Sequence, residues 1–205
     1  MNEIKLSESF LCLSDIYEDR FQNLTASAAA SDFFGHSIEF GVWKGVSLNH
    51  LASRYPSNIF WGFDSFCGLP EPWYRSFDKL RMNRKGDFAL DTIPEMAHGV
   101  KIVVGRFEEA LPVWMAQNSG EVSFIHIDSD LYASSRIILK HLNSRIVPGT
   151  VIVFDELRDW NEQGVYERWK EGEWKALVEW IAEFDRIVEP LSRTNWIEGT
   201  IRVLK

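Results

Sequence analysis

Two apolar runs in the sequence end in acidic residues. The run VSFIHI is followed by Asp128, and the run TVIVF is followed by Asp155 and Glu156. Short runs rich in β-branched and aromatic residues are typical of buried parallel strands. Ligands of open α/β sheets bind outside the carboxyl ends of the strands, so we expect these three acids to converge there. Carboxylate oxygens at that density suit a hard divalent cation such as Mg²⁺, and the pattern predicts a metal site.

A second group of chemically useful residues lies where an earlier strand turns into a helix. The stretch EFGVWKGVS holds two glycines that let the backbone approach a ligand closely, and the helix that follows offers free amide groups. Asp64 ends the next strand, at the distance where an acid binds ribose hydroxyls in nucleoside-binding βαβ folds. Two simpler interpretations stay open: a plain strand-to-helix turn, and a turn or capping acid.

The same turn argues against a dinucleotide cofactor. Enzymes that bind NAD commonly carry G-x-G-x-x-G, whereas Trp43 stands at the position of the second glycine and leaves little room for a diphosphate. Glu39 supplies an anion that suits an amine-bearing or cationic ligand. S-adenosylmethionine meets both conditions, because it carries ribose, an ammonium and a sulfonium but no phosphate.

Strand and helix signals alternate along the chain and supply the elements that position these residues. We predict strands at residues 36–42, 58–63, 100–104, 122–127 and 150–154, and helices at 47–54, 133–145 and 173–184. Such alternation indicates right-handed βαβ units and a parallel sheet with helices on both faces. Strands at 186–191 and 200–204 are joined too closely for a helical crossover, so this last pair is antiparallel.

Composition and charge narrow the range of partners. A chain of 205 residues, 45% of them apolar, can form one domain with a substantial core. The formal charge of −8 argues against binding nucleic acid or an anionic membrane. Two cysteines without metal-ligand spacing, and no signal peptide or membrane-length apolar run, predict a cytoplasmic protein. The segment of residues 67–99 is long and charged and contains aromatic residues, and we predict that it forms a lid or a wall of the substrate site.

Five short motifs follow one another between residues 38 and 156: EFGVWKGVS, WGFDSFCGLPE, VGRFEEALP, HIDSDLY and GTVIVFDE. In this order they resemble the macrocin O-methyltransferase-like class I S-adenosylmethionine-dependent methyltransferases, which modify sugar hydroxyls of macrolide and aminocoumarin natural products. The resemblance implies a Rossmann-like α/β fold, with a seven-stranded, mostly parallel sheet, one antiparallel strand and helices on both faces. Helical periodicity at residues 4–17 and the small residues at 26–31 predict an N-terminal helical cover over residues 1–35, followed by a methyltransferase domain over residues 36–205.

The resemblance also implies roles for individual residues. The predicted cofactor-binding residues are Glu39, Gly41, Gly45, Ser47, Asp64, Ser65, Arg106 and Phe107. Mg²⁺ or another divalent cation is expected at Asp128, Asp155 and Glu156, with Asp128 also the general base. His126, two residues earlier on the same strand, is an alternative base or a packed strand histidine, and Phe107 is alternatively a core aromatic.

Together these observations predict a divalent-metal-assisted O-methyltransferase that uses S-adenosylmethionine. The expected partner is a small-molecule hydroxyl acceptor, a sugar or a glycosylated natural product, and a homodimer stays open. Two alternatives remain. The tripeptide Asp128-Ser129-Asp130 matches the DxD motif of metal-dependent glycosyltransferases. The second alternative is a catalytically silent binding module with the S-adenosylmethionine fold. Such a module would leave the three converging acids without a use.

Overall fold

A computed structural model describes residues 3–13 and 15–205. The strands within these ranges are β1 (Ile16–Tyr17), β2 (His36–Phe40), β3 (Phe60–Asp64), β4 (Trp73–Tyr74), β5 (Met82–Asn83), β6 (Val100–Val104), β7 (Val122–Ile127), β8 (Ile146–Phe154), β9 (Val188–Thr194) and β10 (Gly199–Val203). The α-helices are α1 (Glu3–Leu11), α2 (Arg20–Ala30), α3 (Val46–Arg54), α4 (Phe107–Gln117), α5 (Tyr132–Leu142) and α6 (Glu173–Glu183). A single 3₁₀ turn, Trp169–Glu171, precedes α6 in this part of the chain.

Eight strands form one sheet in the order β1-β9-β10-β8-β7-β2-β3-β6, and β4 pairs with β5 in a small separate hairpin. Strand β10 is antiparallel to both of its neighbours, and the other pairs of the large sheet are parallel. The predicted mostly parallel sheet with one reversed strand is therefore confirmed. The sheet has one strand more than the predicted seven, because the two-residue β1 pairs with β9 at the edge.

Side-chain alternation along the central strands builds a core on each face of the sheet. On strand β7, Ile125 and Ile127 point into a core shared with α1, α4, α5 and α6, whereas Phe124 points into a core shared with α2 and α3. Every residue of β7 is buried. The central strands are thus fixed from both sides, and their carboxyl ends form a rigid edge on which functional groups can be held.

Several element boundaries differ from the prediction. Strand β8 begins at Ile146 rather than at residue 150, and it includes Pro148 and Gly149, because Ile146 already pairs with Val122 of β7. Helix α5 ends at residue 142, three residues earlier than predicted. Helix α4 lies outside the predicted helices, since Pro112 within it weakens the helical signal.

The first 35 residues contribute α1 and α2, which pack on opposite faces of the sheet. Asp19 caps α2 by accepting hydrogen bonds from the backbone amides of Phe21 and Gln22. Residues 1, 2 and 14 of the predicted N-terminal cover lie outside the described residues. None of the helices in the described ranges is long and apolar enough to cross a membrane.

Residues 67–99 form an ordered wall beside the sheet edge. The hairpin of β4 and β5 lies within this segment, and Leu69 and Trp73 pack with Leu131 and Tyr166 in a small apolar cluster of their own. The indole of Trp73 meets the ring of Tyr166 edge to face, with centroids 5.7 Å apart. The segment is therefore anchored to the loops that follow β7 and β8.

Candidate active site

One cavity of about 500 Å³ opens at the carboxyl ends of the central strands. This volume suits a small molecule or a cofactor. Nine of the predicted site residues line it: Gly41, Ser47, Asp64, Ser65, Arg106, Phe107, Asp128, Asp155 and Glu156. The glycine turn and the acidic strand ends therefore face the same space, as expected from the parallel topology.

The glycine turn approaches a neighbouring strand end so closely that only glycine fits. Gly41 has a φ of +90°, and a Cβ at this position would lie 1.7 Å from the carbonyl oxygen of Asp128. Trp43 also has a positive φ, +47°, and its ring is partly exposed against Phe88. The turn thus brings the backbone of residues 41–43 against the cavity and against the loop that carries Asp128.

Asp64 holds this turn in place. Its Oδ2 accepts hydrogen bonds from the backbone amides of Val42 and Trp43, at 2.9 and 2.8 Å, and its Oδ1 accepts one from Phe66 at 2.7 Å. A carboxylate has about four acceptor positions, so capacity for one further donor is left. Asp64 lines the cavity, where the sequence predicted a ligand-binding acid. It also stabilises the turn, which was the alternative interpretation.

Glu39 and Gly45 lie away from the cavity lining. The carboxylate of Glu39 is fully buried, and it accepts a hydrogen bond from the hydroxyl of Ser47 at 2.9 Å. Gly45 caps the start of α3 with a φ of +73°, and a Cβ there would lie 2.8 Å from the sulfur of Met96. Both residues support the wall of the cavity from behind, and Ser47 connects Glu39 to the lining.

Arg106 and Phe107 form another side of the cavity. They lie at the start of α4, after β6 ends at Val104 and Gly105 intervenes. The ring of Phe107 packs edge-on against Phe40, with centroids 5.3 Å apart. Phe107 is therefore both a partly buried core aromatic and a residue of the cavity wall.

The acidic strand ends converge because β7 and β8 stop side by side. The amide of Asp128 donates to the carbonyl of Phe40, and the amide of Asp155 donates to the carbonyl of Ile127, both at 2.9 Å. Two more acids join the predicted three. Asp130 lines the cavity with a φ of +63°, and Glu173 of α6 accepts a hydrogen bond from the amide of Glu156 at 3.0 Å.

Arg20, the first residue of α2, enters the acidic cluster. Its Nη2 lies 3.0 Å from Asp128 Oδ2 and 3.1 Å from Asp155 Oδ1. Burial opposes its charge, but the nearby carboxylates raise the pKa of Arg20 above its usual range. No spacing signal in the sequence could identify this contact, because Arg20 precedes Asp128 by 108 residues.

His126 is a buried strand histidine that bridges two acids. Its Nδ1 lies 2.8 Å from Glu39 Oε2 and its Nε2 lies 3.4 Å from Asp155 Oδ1. Burial alone would lower the pKa of His126, but hydrogen bonding and charge from Asp155 and Glu39 raise it to about 10. The protonated ring donates to both acids. Burial likewise disfavours a charge on Asp155, yet His126 and Arg20 hold the pKa of Asp155 below its usual range.

For the other acids of the cluster, burial and repulsion outweigh any compensating cation, although His126 and Arg20 do act to lower the pKa of Asp128. Burial, followed by the charge of Asp155, raises the pKa of Asp128 and of Glu156 well above the usual carboxyl range. The same two causes raise the pKa of Asp130 to about 7. Burial also raises the pKa of Glu173. A cation bound among these groups would relieve their mutual repulsion.

The donor set suits a hard cation. Two trios of atoms each lie within 4.8 Å of one another, His126 with Asp128 and Asp155, and Asp128 with Asp130 and Glu156. Only the second consists of carboxylates alone, and a protonated His126 has no lone pair for an ion. Asp128 belongs to both trios. Of the other two predicted metal ligands, Asp155 belongs to the first trio and Glu156 to the second. Glu156 is 6% exposed, and its Oε2 has no hydrogen-bond partner among the described residues. An orphaned carboxylate oxygen in a carboxylate cluster is the feature expected of a site for Mg²⁺ or a similar ion.

Trp73, Phe88 and Arg75 form a further part of the cavity wall. The guanidinium of Arg75 stacks over Trp73 at 4.9 Å, and its Nε has no hydrogen-bond partner within the described ranges. Of the other tryptophans near these loops, Trp160 and Trp174 are buried in the core rather than on the cavity wall. The aromatic residues of the cavity lining are Phe21, Trp43, Trp73, Phe88 and Phe107.

Comparison with known proteins identifies relatives of this arrangement. A family model described as macrocin-O-methyltransferase (TylF) matches residues 14–185. A relative from Streptomyces olivaceus, 8-demethyl-8-(2,3-dimethoxy-alpha-L-rhamnosyl)-tetracenomycin-C 4'-O-methyltransferase, is 24% identical over 156 residues, which cover 67% of this chain and 59% of the relative. The chain thus spans about three fifths of the length of this relative.

Two solved structures share the fold. The calicheamicin methyltransferase CalS11 superposes with a TM-score of 0.64 at 20% identity, covering 89% of this chain and 78% of its own. An O-methyltransferase from Bacillus cereus in complex with SAH superposes with a TM-score of 0.52 at 15% identity, covering 99% of this chain and 89% of its own. At these identities the likeness establishes the Rossmann-like methyltransferase fold.

Proposed function

The chain belongs to the macrocin-O-methyltransferase (TylF) family, and we propose that it transfers a methyl group from S-adenosylmethionine to a hydroxyl of a sugar or glycosylated small molecule, with help from a divalent cation. The observation that carries this proposal is the cavity of about 500 Å³ at the carboxyl ends of the central strands. It joins the glycine turn and Asp64 on one side to the carboxylates of Asp128 and Glu156 on the other.

The cofactor half of the cavity is the part formed by the glycine turn, Asp64 and the start of α4. Bound there, S-adenosylmethionine supplies an activated methyl group on a sulfonium. The free acceptor capacity of Asp64 suits a ribose hydroxyl, and Phe107 offers an aromatic face beside it. Glu39 acts from behind, because it fixes Ser47, a residue of the lining.

The acceptor half is the part that contains the acidic strand ends. Asp128, Asp155 and Glu156 would hold Mg²⁺, whose chemical contribution is to lower the pKa of the acceptor hydroxyl and to orient its oxygen. Trp73 and Phe88 provide apolar faces for a sugar ring, and Arg75 provides hydrogen-bond donors for its hydroxyls. Alignment of the acceptor with the methyl carbon accounts for most of the expected acceleration.

Asp130 is a second candidate, beside the predicted Asp128, for the residue that takes the hydroxyl proton. Asp128 already accepts a hydrogen bond from Arg20, and as a metal ligand it would have its lone pairs engaged. Asp130 lies two residues further along the same loop and lines the cavity, and its pKa is raised to about 7. A general base with a pKa near the working pH is the effective kind. His126 is buried behind Asp155 and does not line the cavity.

Calorimetry with S-adenosylhomocysteine tests the cofactor half directly. Asp64→Ala removes the anchor of residues 42 and 43, and we expect it to weaken binding at least tenfold, because charge-assisted hydrogen bonds contribute roughly 1.5–3 kcal/mol each. Glu121→Ala, a change of an exposed acid directly before β7 and at the opposite end of that strand from the cavity, serves as the control and should bind like the wild type. Equal affinity of the wild type and Asp64→Ala would exclude this placement.

The acceptor class is tested by methyl transfer to a panel of hydroxyl compounds. The relative from S. olivaceus is named for a rhamnosyl substrate, so rhamnosides and nucleoside-diphosphate sugars form the first panel, with catechol as a non-sugar comparison. Transfer of labelled methyl to a sugar, lost in excess EDTA, would support the proposal. Full transfer in EDTA would exclude metal assistance.

The two alternatives are less well supported. A glycosyltransferase would use the DxD tripeptide but leave the glycine turn and Asp64 without a role, and a silent module would leave the acidic cluster without one. Tight binding of UDP with Mn²⁺, in the absence of any binding of S-adenosylhomocysteine, would favour the glycosyltransferase. The cytoplasmic location and the homodimer stay predictions.

A further inference from the structure

One nitrogen of Arg20 occupies the point between two of the proposed metal ligands. The same Nη2 atom lies 3.0 Å from Asp128 Oδ2 and 3.1 Å from Asp155 Oδ1. At these distances it donates a charge-assisted hydrogen bond to Asp128 and forms an ion pair with Asp155. Arg20 thus supplies, from within the chain, the positive charge that the two carboxylates need.

A divalent ion bound by the same two oxygens would need the space that this guanidinium group fills. Mg²⁺ lies roughly 2.0–2.1 Å from its oxygen ligands, closer than the nitrogen of Arg20. Holding both cations against the same carboxylate pair would place like charges within a few ångströms of each other, in a partly buried site where screening is weak. Occupancy by Arg20 and occupancy by the ion are therefore mutually exclusive at this pair.

Arg20 is free to leave without unravelling its helix. The start of α2 is held by the carboxylate of Asp19, which accepts from the amides of Phe21 and Gln22. The side chain of Arg20 is 38% exposed, so it has a path to solvent. A cation in the first turn of a helix also gains nothing from the helix dipole. The guanidinium can move to the cavity mouth while the backbone of α2 stays in place.

The cluster retains capacity for a further cation even with Arg20 in position. Glu156 Oε2 is buried and has no partner among the described residues, and Asp130, which lines the same cavity, offers a carboxylate oxygen within 4.8 Å of one from Glu156. Arg20 reaches Asp128 and Asp155 but makes no contact with Glu156 that would satisfy this oxygen. An ion that ligates Glu156 along with Asp128 would satisfy more of the cluster than Arg20 does.

We propose that Arg20 is an intramolecular competitor of the divalent cation: it bridges Asp128 and Asp155 in the metal-free protein and is displaced when the ion binds. The inference rests on the metal-assisted function proposed above. Arg20 and Phe21 both line the cavity, so displacement of Arg20 also changes the wall that meets the acceptor. The ion and the acceptor site are coupled through this one side chain.

Competition lowers the apparent affinity for the ion. If Arg20 bridges the two carboxylates for about nine tenths of the time, the measured dissociation constant is roughly ten times the intrinsic one. Removing the side chain of Arg20 should therefore lower the measured dissociation constant for the ion by about the same tenfold factor. Arg136 provides a matched control, because it also bridges two carboxylates, those of Glu179 and Glu183, on α5 and α6 away from the cavity.

Titration of the full chain with MnCl₂, followed by calorimetry and by the electron paramagnetic resonance signal of free Mn²⁺, tests the proposal. We expect Arg20→Gln to bind Mn²⁺ at least tenfold more tightly than the wild type, and Arg136→Gln to bind like the wild type. Arg20→Lys should fall between them, because an ammonium lacks the planar fork of a guanidinium. Melting curves in EDTA establish that each variant is folded.

The outcomes separate this inference from the proposed function. Equal or weaker Mn²⁺ binding by Arg20→Gln overturns the competition. If Arg20→Gln does not fold, Arg20→Lys decides, and an affinity no tighter than that of the wild type overturns it. Absence of Mn²⁺ binding in every variant, with S-adenosylhomocysteine still bound, overturns both the competition and metal assistance while leaving the methyl-transfer function standing.

Discussion

His126 shows how one buried side chain connects the two halves of the cavity. It lies between Glu39, which fixes Ser47 on the cofactor side, and Asp155, which belongs to the acidic cluster. A neutral glutamine in its place would leave two buried carboxylates without their shared cation. The interaction is therefore structural, and its contribution depends on the proton that His126 carries.

We predict that His126→Gln changes the pH dependence of stability. Because the pKa of His126 is raised from 6.5 to about 10 on folding, its contribution is complete below about pH 6.5 and is lost as the pH rises toward 10. Within that window the wild type should lose about 1.4 kcal/mol of unfolding free energy per pH unit more than the variant does. Urea unfolding in EDTA at a series of pH values measures this difference.

The control for this prediction is His36→Gln. His36 begins β2, at the opposite end of the sheet from the cavity, and its Nε2 contacts the carbonyl of Ser119 at 2.8 Å. If the unfolding free energies of the wild type and His126→Gln change equally with pH between pH 6.5 and 10, the ring of His126 does not hold its proton as described.

At the same scale, Asp130→Asn tests the assignment of the proton acceptor. We expect methyl transfer to fall by roughly 10²- to 10⁴-fold, the usual contribution of general base catalysis, and the residual rate to lose its rise with pH near 7. Affinity for S-adenosylhomocysteine should change little, and the fall in rate should exceed any weakening of Mn²⁺ binding, which Asp128→Asn should weaken more strongly. If Asp130→Asn keeps the full rate, Asp130 is not the base.

Sequence patterns identify site residues at the ends of strands and in the turns and helix starts that follow them. Asp64, Asp128, Asp155 and Glu156 line the cavity because each follows a recognisable apolar run. Arg20 follows no such run, and its role depends on how α2 packs across the sheet, which is a property of tertiary structure. Tertiary packing also decides which of these residues line the cavity and which lie behind the lining. No sequence pattern could show that Glu39 faces His126 instead of the cavity.

At the scale of elements, the parallel strands were predictable because β-branched runs and short connections restrict the topology. The ends of these strands were less predictable. Pro148 and Gly149 suggest a turn, yet β8 continues through them because its pairing with β7 begins earlier. The two-residue strands β1, β4 and β5 carry too few residues for any periodicity. Such short pairings are determined by their neighbours and not by their own sequence.

The β4-β5 segment gives a prediction about closure. We expect amide hydrogen exchange in residues 70–96 to slow when S-adenosylhomocysteine and Mg²⁺ bind, and to slow more than in β7, because exposed loops open at low free-energy cost and ligands stabilise their closed form. The contact between Trp73 and Tyr166 already anchors part of the segment. Complete protection of these amides without ligand would identify a fixed wall instead of a lid.

At the scale of the whole molecule, the acidic cluster is a source of instability that a cation relieves. The chain carries a formal charge of −8, and several of its acids, among them Asp128, Glu156 and Glu173, are gathered at one sheet edge with raised pKa values. Folding therefore has to overcome both their burial and their repulsion. Ligands that bind only the folded state should be measurable through stability alone, without knowledge of the acceptor.

We therefore predict that Mg²⁺ raises the melting temperature of the protein in a concentration-dependent manner. At a hundred times its dissociation constant, a ligand specific for the folded state contributes about 2.7 kcal/mol, which for a chain of this size corresponds to roughly 5–10 °C. NaCl at matched ionic strength controls for screening of the net charge, and Glu156→Gln, which removes the orphaned carboxylate oxygen, should abolish most of the shift. An equal rise with NaCl, or an undiminished rise in Glu156→Gln, would show that the cluster does not bind the ion specifically.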